Sequence, residues 1–468
     1  MNLVYNIKDK PKFPQLLVFA LQQLLAILAA TIAVPAIIGN GMSQSAALFG
    51  AGAGTLIYQL FTKFKSPVFL GSSFAFISSM FVAFSGAVAA SVGYLGLIIG
   101  AALAGLVYVA IALAVKFFGV SWISKLMPSV VIGPTVAIIG LSLAANAVKD
   151  ATGGVDPVGG SYVMDLHAFL CLICALVTLA TVFVCSVYGK KMMKLIPFII
   201  GILAGYVVAL IFTLIGLASG NADFTIIDFT KFENMSWLPD FAFVQMFKEP
   251  MSFGEFGGFW SYFGTVAVAY VPGAFVVFAE HIADHKNLST IIESDLLEEP
   301  GLHRTLLGDG VGSFVGALFG GCPNTTYGES VGCVAITRNA SVITITTTAI
   351  MAIVASFFAP FVTFLATIPG CVMGGVCISL YGFIAVSGLK IIQKVNLEES
   401  KNLFTVSVIL ITGIGGLALK IGEVTLTAIA CALILGILTN VLLNLGNKSK
   451  APEMTEEATE EVIEESKE

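Results

Sequence analysis

Long apolar stretches constrain this chain more than any other feature of its sequence. We identify fourteen such segments among the 468 residues, and an apolar stretch of about 20 residues crosses a bilayer as a helix. Hydrophobic residues make up 57% of the chain and charged residues 11%, whereas a soluble domain carries about 25% charged residues. The composition therefore excludes a soluble globular protein and predicts an all-α polytopic membrane protein.

The predicted spans form two groups of seven, separated by a polar loop at 218–258. The first group comprises 14–38, 44–62, 67–88, 92–115, 127–147, 166–188 and 195–217; the second comprises 259–283, 306–321, 324–338, 340–366, 370–389, 402–419 and 424–446.

The distribution of Lys and Arg orients these spans. With the N-terminus placed in the cytoplasm and the sides alternating at each span, nineteen basic residues are cytoplasmic and four lie on the opposite side. Cytoplasmic segments of membrane proteins carry an excess of basic residues, and a miscounted span would have removed the bias downstream. Fourteen spans with both termini cytoplasmic is the predicted topology.

An odd number of spans in each half gives the two halves opposite orientations, which is the inverted-repeat architecture of secondary transporters. The third span of each half, span 3 and span 10, contains a proline, a hydroxyl pair and an aromatic residue. These are Pro67 with Ser72-Ser73-Phe74, and Pro323 with Thr325-Thr326-Tyr327. Proline disfavours helix, so we expect a short extended stretch to break each span, with a helix starting near the aromatic residue.

Two such helix starts would direct unpaired backbone N–H groups towards the protein centre, where they can hold carbonyl oxygens of a small polar ligand. Ser73 belongs to this predicted site. The alternative is that the hydroxyl residues are helix-packing positions, which are common in membrane bundles.

Two carboxylates, Glu280 and Glu329, fall well inside predicted spans. A charged side chain at a helix centre costs about 2.5–3.5 kcal/mol, so we interpret both as ligand-binding or proton-exchanging groups. The alternative is a buried pair that ties helices together. One helical turn after Glu280, Asp284 shares its face and is the predicted proton partner, unless it is a polar residue at the cytoplasmic helix end.

Other polar residues have structural or open interpretations. His281 and His285 have the spacing of a zinc pair, but no third ligand is apparent, so no metal site is expected, and His285 is expected at the cytoplasmic helix end. Asp309, between two glycines, is interpreted as structural. Gln22 and Gln23 in the first span either keep the site polar or join helices.

The remaining composition excludes other classes. Residues 451–468 hold eight Glu and one Lys, a charge of −7, which leaves +1 for the rest (22 basic minus 21 acidic). We expect the segment 447–468 to be a disordered acidic cytoplasmic tail, and nucleic acid is not an expected partner. Eight Cys lack paired spacing apart from Cys171-x-x-Cys174, so they are interpreted as buried small apolar residues. No nucleophile or metal motif suggests an enzyme, and no cofactor is expected.

Four stretches resemble the nucleobase–ascorbate transporters, also called nucleobase:cation symporters, and among them the bacterial uracil permeases. The resemblance spans about residues 14–445. The stretches are Gln22-Gln23 with Ala29-Ala30-Thr31 and Pro35; Gly71-Ser72-Ser73-Phe74-Ala75-Phe76; Ala279-Glu280-His281; and Pro323-Asn324-Thr325-Thr326-Tyr327-Gly328-Glu329, continuing through Gly332 to Thr337-Arg338.

The resemblance implies a core domain from spans 1–4 and 8–11 and a gate domain from spans 5–7 and 12–14. After an N-terminal cytoplasmic arm at 1–13, the halves of the core domain would be 14–125 and 259–366, those of the gate domain 126–217 and 367–446, and the loop 218–258 extracytoplasmic. It further implies a homodimer formed through the gate domains.

The resemblance also implies a substrate site. Glu280 and Glu329 would hydrogen-bond a nucleobase, the backbone N–H groups of Phe74 and Gly328 would meet its carbonyls, and Ala30 and Tyr327 would lie nearby.

Three positions depart from the family pattern. Gln22-Gln23 stands where the family often has Gln-His, Ser330 where uracil permeases usually have Asn, and Asp284 where a uracil permease has a His linked to proton coupling. Proton coupling therefore depends on Glu280 with Asp284, or on Glu280 alone.

Together these features predict a secondary active transporter that imports uracil with protons by alternating access. The alternatives are a xanthine, urate or other nucleobase symporter, or an anion exchanger of the same architecture, and Na⁺ is the alternative coupling ion. Glu rather than Gln at 329 favours uracil.

Overall fold

The computed structural model describes residues 3–119, 128–159, 161–190, 192–421 and 424–445, and these are mainly helical. The predicted acidic tail and the predicted boundary between core and gate domains at 125 and 126 lie outside the described residues.

The first half contains nine helices and one short strand within its described part. They are α1 (Phe13–Ile38), α2 (Gln44–Phe61), β1 (Leu70–Ser72), α3 (Ile77–Ala83, preceded by a 3₁₀ turn at Phe74–Phe76), α4 (Ala90–Phe118), α5 (Ser129–Ser142), α6 (Ala144–Ala151), α7 (Leu166–Tyr188), α8 (Met192–Leu195) and α9 (Pro197–Ser219).

The segment between the halves carries 3₁₀ turns at Ala222–Phe224, Phe229–Asn234 and Gly254–Phe256 and the short helix α10 (Ala242–Gln245). The described second half comprises α11 (Phe259–Ile292), α12 (Leu302–Gly320), β2 (Asn324–Thr326), α13 (Gly328–Thr337), α14 (Val342–Ser356), α15 (Ala359–Ala366), α16 (Gly370–Gln393), α17 (Ser400–Ile414), β3 (Leu419–Ile421), β4 (Val424–Leu426) and α18 (Ala428–Asn444).

The chain is thus a polytopic helical membrane protein, as predicted. Among the described residues seven helical segments are long and apolar enough to cross a bilayer, or eight if the bent pair α14 and α15, with 82° between its helices, is one span. Each of the fourteen predicted segments coincides with a helix, a helix pair or a strand followed by a helix. Several of these are shorter than a full span, so the fourteen-span, seven-plus-seven topology stays a prediction.

Helix packing falls into two groups. In the first, α12 packs against α2 and α4, α14 packs against α1 and α2, and α11 packs against α4. In the second, α16 packs against α5, α6 and α7, α9 against α7, and α17 against α5 and α18. The helices of the two groups are those of the predicted core and gate domains, and the domain assignment stays a prediction.

Glycines allow α12 to lie directly against α2. A Cβ at Gly54 would come 2.7 Å from the carbonyl oxygen of Gly312, and one at Gly50 would come 2.6 Å from that of Gly316. Small residues at four-residue spacing let membrane helices approach this closely, because lipid provides no hydrophobic drive for association and van der Waals contact must replace it. The strands β1 and β2 follow these two closely packed helices in sequence.

Candidate functional site

The two predicted broken segments meet in the centre of the first helix group. β1 pairs antiparallel with β2 in the register Leu70 to Thr326, Gly71 to Thr325 and Ser72 to Asn324. The N–H group of Ser73 continues the pairing by donating to the Pro323 carbonyl at 2.9 Å. The predicted extended stretches are therefore confirmed, and each half supplies the backbone partner that the other requires in a membrane interior.

A helix begins directly after each strand, next to the aromatic residue, as predicted. The 3₁₀ turn that leads into α3 starts at Phe74, and α13 starts at Gly328. The residues that precede these starts, Ser73 and Tyr327, make no side-chain capping hydrogen bond. The backbone N–H groups of Phe74 and Gly328 are therefore not bound by the side chain of the preceding residue, which leaves them available to the carbonyl oxygens of a ligand.

Tyr327 joins the two strands through its side chain. Its hydroxyl donates to the carbonyl oxygen of Ser72 at 2.6 Å, and its ring lies over Gly71, where a Cβ would come 2.3 Å from ring atom Cε2. Ala30 of α1 and Tyr327 belong to one buried apolar cluster, against which Phe74 packs. The structure thus brings Ala30, Phe74 and Tyr327 together.

The predicted membrane carboxylates converge on the same region from different elements. Glu280 lies on α11 and Glu329 in the first turn of α13; both are half-buried, and they are near enough for the charge of one to act on the other. Within the described part of the chain neither carboxylate has an ion-pair partner. Half-buried carboxylates without cations are hydrogen-bond acceptors that a ligand with N–H groups can satisfy.

Asp284 is anchored to the strand pair. Its Oδ2 accepts a hydrogen bond from the Thr326 hydroxyl at 2.7 Å, and its Oδ1 is 3.9 Å from where a Cβ on Gly328 would be. The predicted proton partner of Glu280 is therefore adjacent to the start of α13, and the charges of Glu280 and Asp284 act on each other.

The expectation that His285 marks the cytoplasmic helix end was wrong. Helix α11 continues to Ile292, and His285 is fully buried, with its Nε2 2.7 Å from the hydroxyl of Tyr58. His281 is also fully buried and makes contacts of 2.7 Å to Asp309 Oδ2 and 2.9 Å to Thr305 Oγ1.

The same contacts bear on the interpretation of Asp309 and on the zinc-pair spacing of His281 and His285. Asp309 lies at a helix–helix contact, in agreement with its structural interpretation, and each histidine has protein partners. Among the described residues no group of three or more His, Cys, Asp or Glu is arranged to hold a metal ion.

Gln23 joins helices. Its Nε2 donates to Ser330 Oγ at 2.6 Å, and the same hydroxyl accepts the backbone N–H of Phe69 at 3.2 Å. Ser330, one of the departures from the family pattern, thus connects α1, α13 and the approach to β1. Of the two interpretations of this pair, helix joining holds for Gln23.

A cavity of about 160 Å³ adjoins Glu329. It lies between the first helix group and the start of α9, and its lining includes Ala26, Lys194, Ile196 and Phe198. Glu329 therefore faces the boundary between the two helix groups, where relative movement would change its access to solvent.

Sequence reasoning missed three contributors to this region. Thr326 binds Asp284, Tyr381 of α16 contacts the Phe74 ring edge-on at a centroid distance of 6.4 Å, and Lys194 lines the cavity beside Glu329. Thr326 was visible as part of the hydroxyl pair. For Tyr381 and Lys194 no local sequence signal exists, because they come from the other helix group.

Comparison with known proteins gives one consistent family. A family model described as Permease family, Xan_ur_permease, matches residues 14–422. A uracil permease of Bacillus caldolyticus is 40% identical over 445 residues, which cover 94% of this chain and 94% of that protein. A uracil permease of Bacillus subtilis strain 168 is 37% identical over 450 residues, which cover 95% of this chain and 96% of that protein.

The fold is shared with a solved membrane structure. The transmembrane domain of a cyanobacterium bicarbonate transporter, BicA, superposes with a TM-score of 0.62 at 16% identity, covering 93% of this chain and all of that domain.

From the family model and the uracil permeases that match nearly its whole length, the chain belongs to the Permease family of nucleobase–ascorbate transporters and is a transporter rather than an enzyme.

Proposed function

We propose that this protein imports uracil together with protons across a bacterial plasma membrane. The observation that carries the proposal is the pairing of β1 with β2, because a helix starts after each strand without a side-chain cap from Ser73 or Tyr327, and Glu329 lies in the first turn of the second helix. The relatives named as uracil permeases match nearly the whole chain and support uracil as the substrate.

The chemistry of the site is complementary to uracil. The base offers two N–H donors and two carbonyl acceptors, so carboxylates suit the first pair and backbone N–H groups the second. Glu280 and Glu329 would accept from the base, while the N–H groups of Phe74 and Gly328 would donate to it. Ser73, Ala30 and Tyr327 would form the surrounding wall.

Proton coupling is assigned to Glu280 and Asp284. Protonation of Glu280 would favour binding of the base from outside, and release of proton and base would follow inside. One proton that moves down a potential of 100 mV supplies about 2.3 kcal/mol, which corresponds to roughly fifty-fold accumulation. Na⁺ is the competing coupling ion.

Alternating access would arise from movement of the core domain, spans 1–4 and 8–11, against the gate domain, spans 5–7 and 12–14. The cavity between Glu329 and the start of α9 supports this division, since it lies at the boundary of the two groups. We further propose both termini in the cytoplasm and a homodimer through the gate domains. Xanthine, urate or another nucleobase as substrate, and anion exchange on the same architecture, are the competing functions.

The test is uptake of labelled uracil into proteoliposomes with and without an inward proton gradient. We expect accumulation that a protonophore abolishes, loss of binding and uptake in Glu280→Ala, and retained uracil exchange without gradient-driven accumulation in Asp284→Asn. Glu298→Gln is the matched control and should behave as wild type. It changes an exposed carboxylate on the predicted cytoplasmic side.

Each other outcome rejects a separate part of the proposal. Equilibration that ignores the proton gradient would leave a uracil carrier and remove proton coupling. An Na⁺ gradient that drives accumulation would replace the coupling ion. Folded protein that transports xanthine, urate or an anion but not uracil would overturn the substrate assignment.

A further inference from the structure

A crevice of about 180 Å³ opens where the C-terminal ends of α2 and α4 meet the start of α12, separate from the site around Glu280. Its walls are the apolar side chains of Phe61, Leu113 and Leu307 and the basic side chains of Lys116, His303 and Arg304. The proposed function uses none of these residues.

Two of the basic side chains of this crevice, Lys116 and Arg304, are not paired with a carboxylate of the described residues. Lys116 is exposed and Arg304 half-buried, and the charges of both act on the half-buried His303. Because a partly desolvated cation without a counter-charge is costly, the crevice favours an anionic occupant.

The apolar side of the crevice is open to the surroundings of the protein. Leu113 is 46% exposed and Phe61 37%, and beside Lys116 the rings of Phe117 and Phe118 are 72% and 77% exposed. Exposed apolar and aromatic residues next to basic ones at helix ends are typical of the membrane interface. The occupant therefore needs a negative group for the cations and hydrocarbon for the apolar wall.

We propose that this crevice binds an anionic phospholipid of the cytoplasmic leaflet. The headgroup phosphate contacts Lys116 and Arg304, and an acyl chain lies against Leu113 and Phe61. Basic pockets between helices on the cytoplasmic side bind anionic headgroups by this combination of charge and apolar contact. The site is on the predicted cytoplasmic side and is independent of which substrate the protein carries.

The test compares two lipids on the purified full-length protein. Native mass spectrometry would measure retained dioleoylphosphatidylglycerol and dioleoylphosphatidylcholine, and thermal melting in detergent would measure the stabilisation that each gives. Removing both charges in Lys116→Gln with Arg304→Gln should weaken retention of phosphatidylglycerol about 25-fold, roughly fivefold for each charge, and leave phosphatidylcholine unaffected.

The matched control removes two exposed basic residues elsewhere on the same predicted side, Lys390→Gln with Lys394→Gln, and should retain phosphatidylglycerol as wild type does. Because Lys116 is exposed, Lys116→Gln alone keeps the test valid if the double variant does not fold, with an expected fivefold loss. Equal retention by wild type and crevice variants, or an equal loss in the control variant, would overturn the site. Stabilisation by soluble glycerol phosphate equal to that by phosphatidylglycerol would overturn a lipid as its occupant.

Discussion

At Gly71 the backbone of one half of the protein lies against an aromatic ring of the other half. A Cβ at this position would come within 2.4 Å of two atoms of the Tyr327 ring, and that ring cannot withdraw without breaking the hydrogen bond from its hydroxyl to Ser72. The absence of a side chain at residue 71 is thus a condition for the closed strand pair.

We expect Gly71→Ala to displace the Tyr327 ring, to lower the free energy of unfolding by about 1–3 kcal/mol and to reduce uracil uptake more than tenfold. Uptake into proteoliposomes and thermal melting of the purified protein measure the two effects. Gly382→Ala is the matched control, since nothing lies within 4 Å of its added Cβ. A Gly71→Ala variant with unchanged uptake would show that the position of this ring does not matter to transport.

The sequence identifies some of the polar residues in this region but not the contacts that they make. Glu280 and Glu329 were identifiable because a charge inside an apolar span is costly and therefore conspicuous. His281 and Asp309 were not recognised as partners, because a hydrogen bond between two helices leaves no trace in the spacing of either. Ser330 stood out only as a departure from a pattern, and its bond from Gln23 required the structure.

At the scale of elements, the N-terminal arm is a strand-like segment bound to the chain after α13. The N–H of Val4 donates to the Arg338 carbonyl at 2.8 Å, and the N–H of Ala340 donates to that of Tyr5 at 2.9 Å. Leu3 and Ile7 face inwards and pack on a buried cluster, whereas Val4 between them is 59% exposed. The arm therefore supports the helix that carries Glu329.

We expect Ile7→Ser to lower the free energy of unfolding by about 1 kcal/mol, because this half-buried aliphatic side chain loses its contact with the buried cluster. The melting temperature should fall accordingly. Val4→Ser, the outward-facing neighbour, should leave the melting temperature unchanged. Thermal melting in one detergent measures both variants. Equal melting temperatures for the two would mean that the arm is not bound in solution.

Element boundaries were predictable where hydropathy alone decides them. From hydropathy, the eighth span was predicted to end at residue 283. Helix α11 instead continues to Ile292, because Leu288 and Ile292 keep one face of the helix buried beyond the charged Lys286. The extended stretches followed from Pro67 and Pro323. The register in which these two stretches pair could not be predicted from the sequence, because pairing between distant segments depends on the packing of the helices around them.

At the scale of the whole molecule, the boundary between the two helix groups crosses the cavity beside Glu329. Ala26 and Cys333 of the first group form a small buried cluster, against which Ile196 at the start of α9 packs. If the groups move against each other during transport, this contact must open and close.

A disulfide across the boundary tests this movement. We expect Ile196→Cys to form a disulfide with the native Cys333 on oxidation with copper phenanthroline, to lose uracil uptake, and to recover it on reduction. Ile196→Ser is the matched control and should be insensitive to the oxidant. A variant whose cross-link is demonstrated by mass spectrometry but which still transports would exclude relative movement at this contact.

The pairing of β1 with β2 also has a consequence for how the protein is made. The two sides of the bond from Tyr327 to Ser72 are 255 residues apart in the chain, and at about 5–20 residues per second the ribosome needs roughly 10–50 s to produce the second after the first. Through this interval the backbone of Leu70–Ser72 lacks its partner in an environment where unpaired peptide groups are costly. The nascent first half must therefore keep this segment in contact with water or with the insertion machinery until the segment that contains β2 is made.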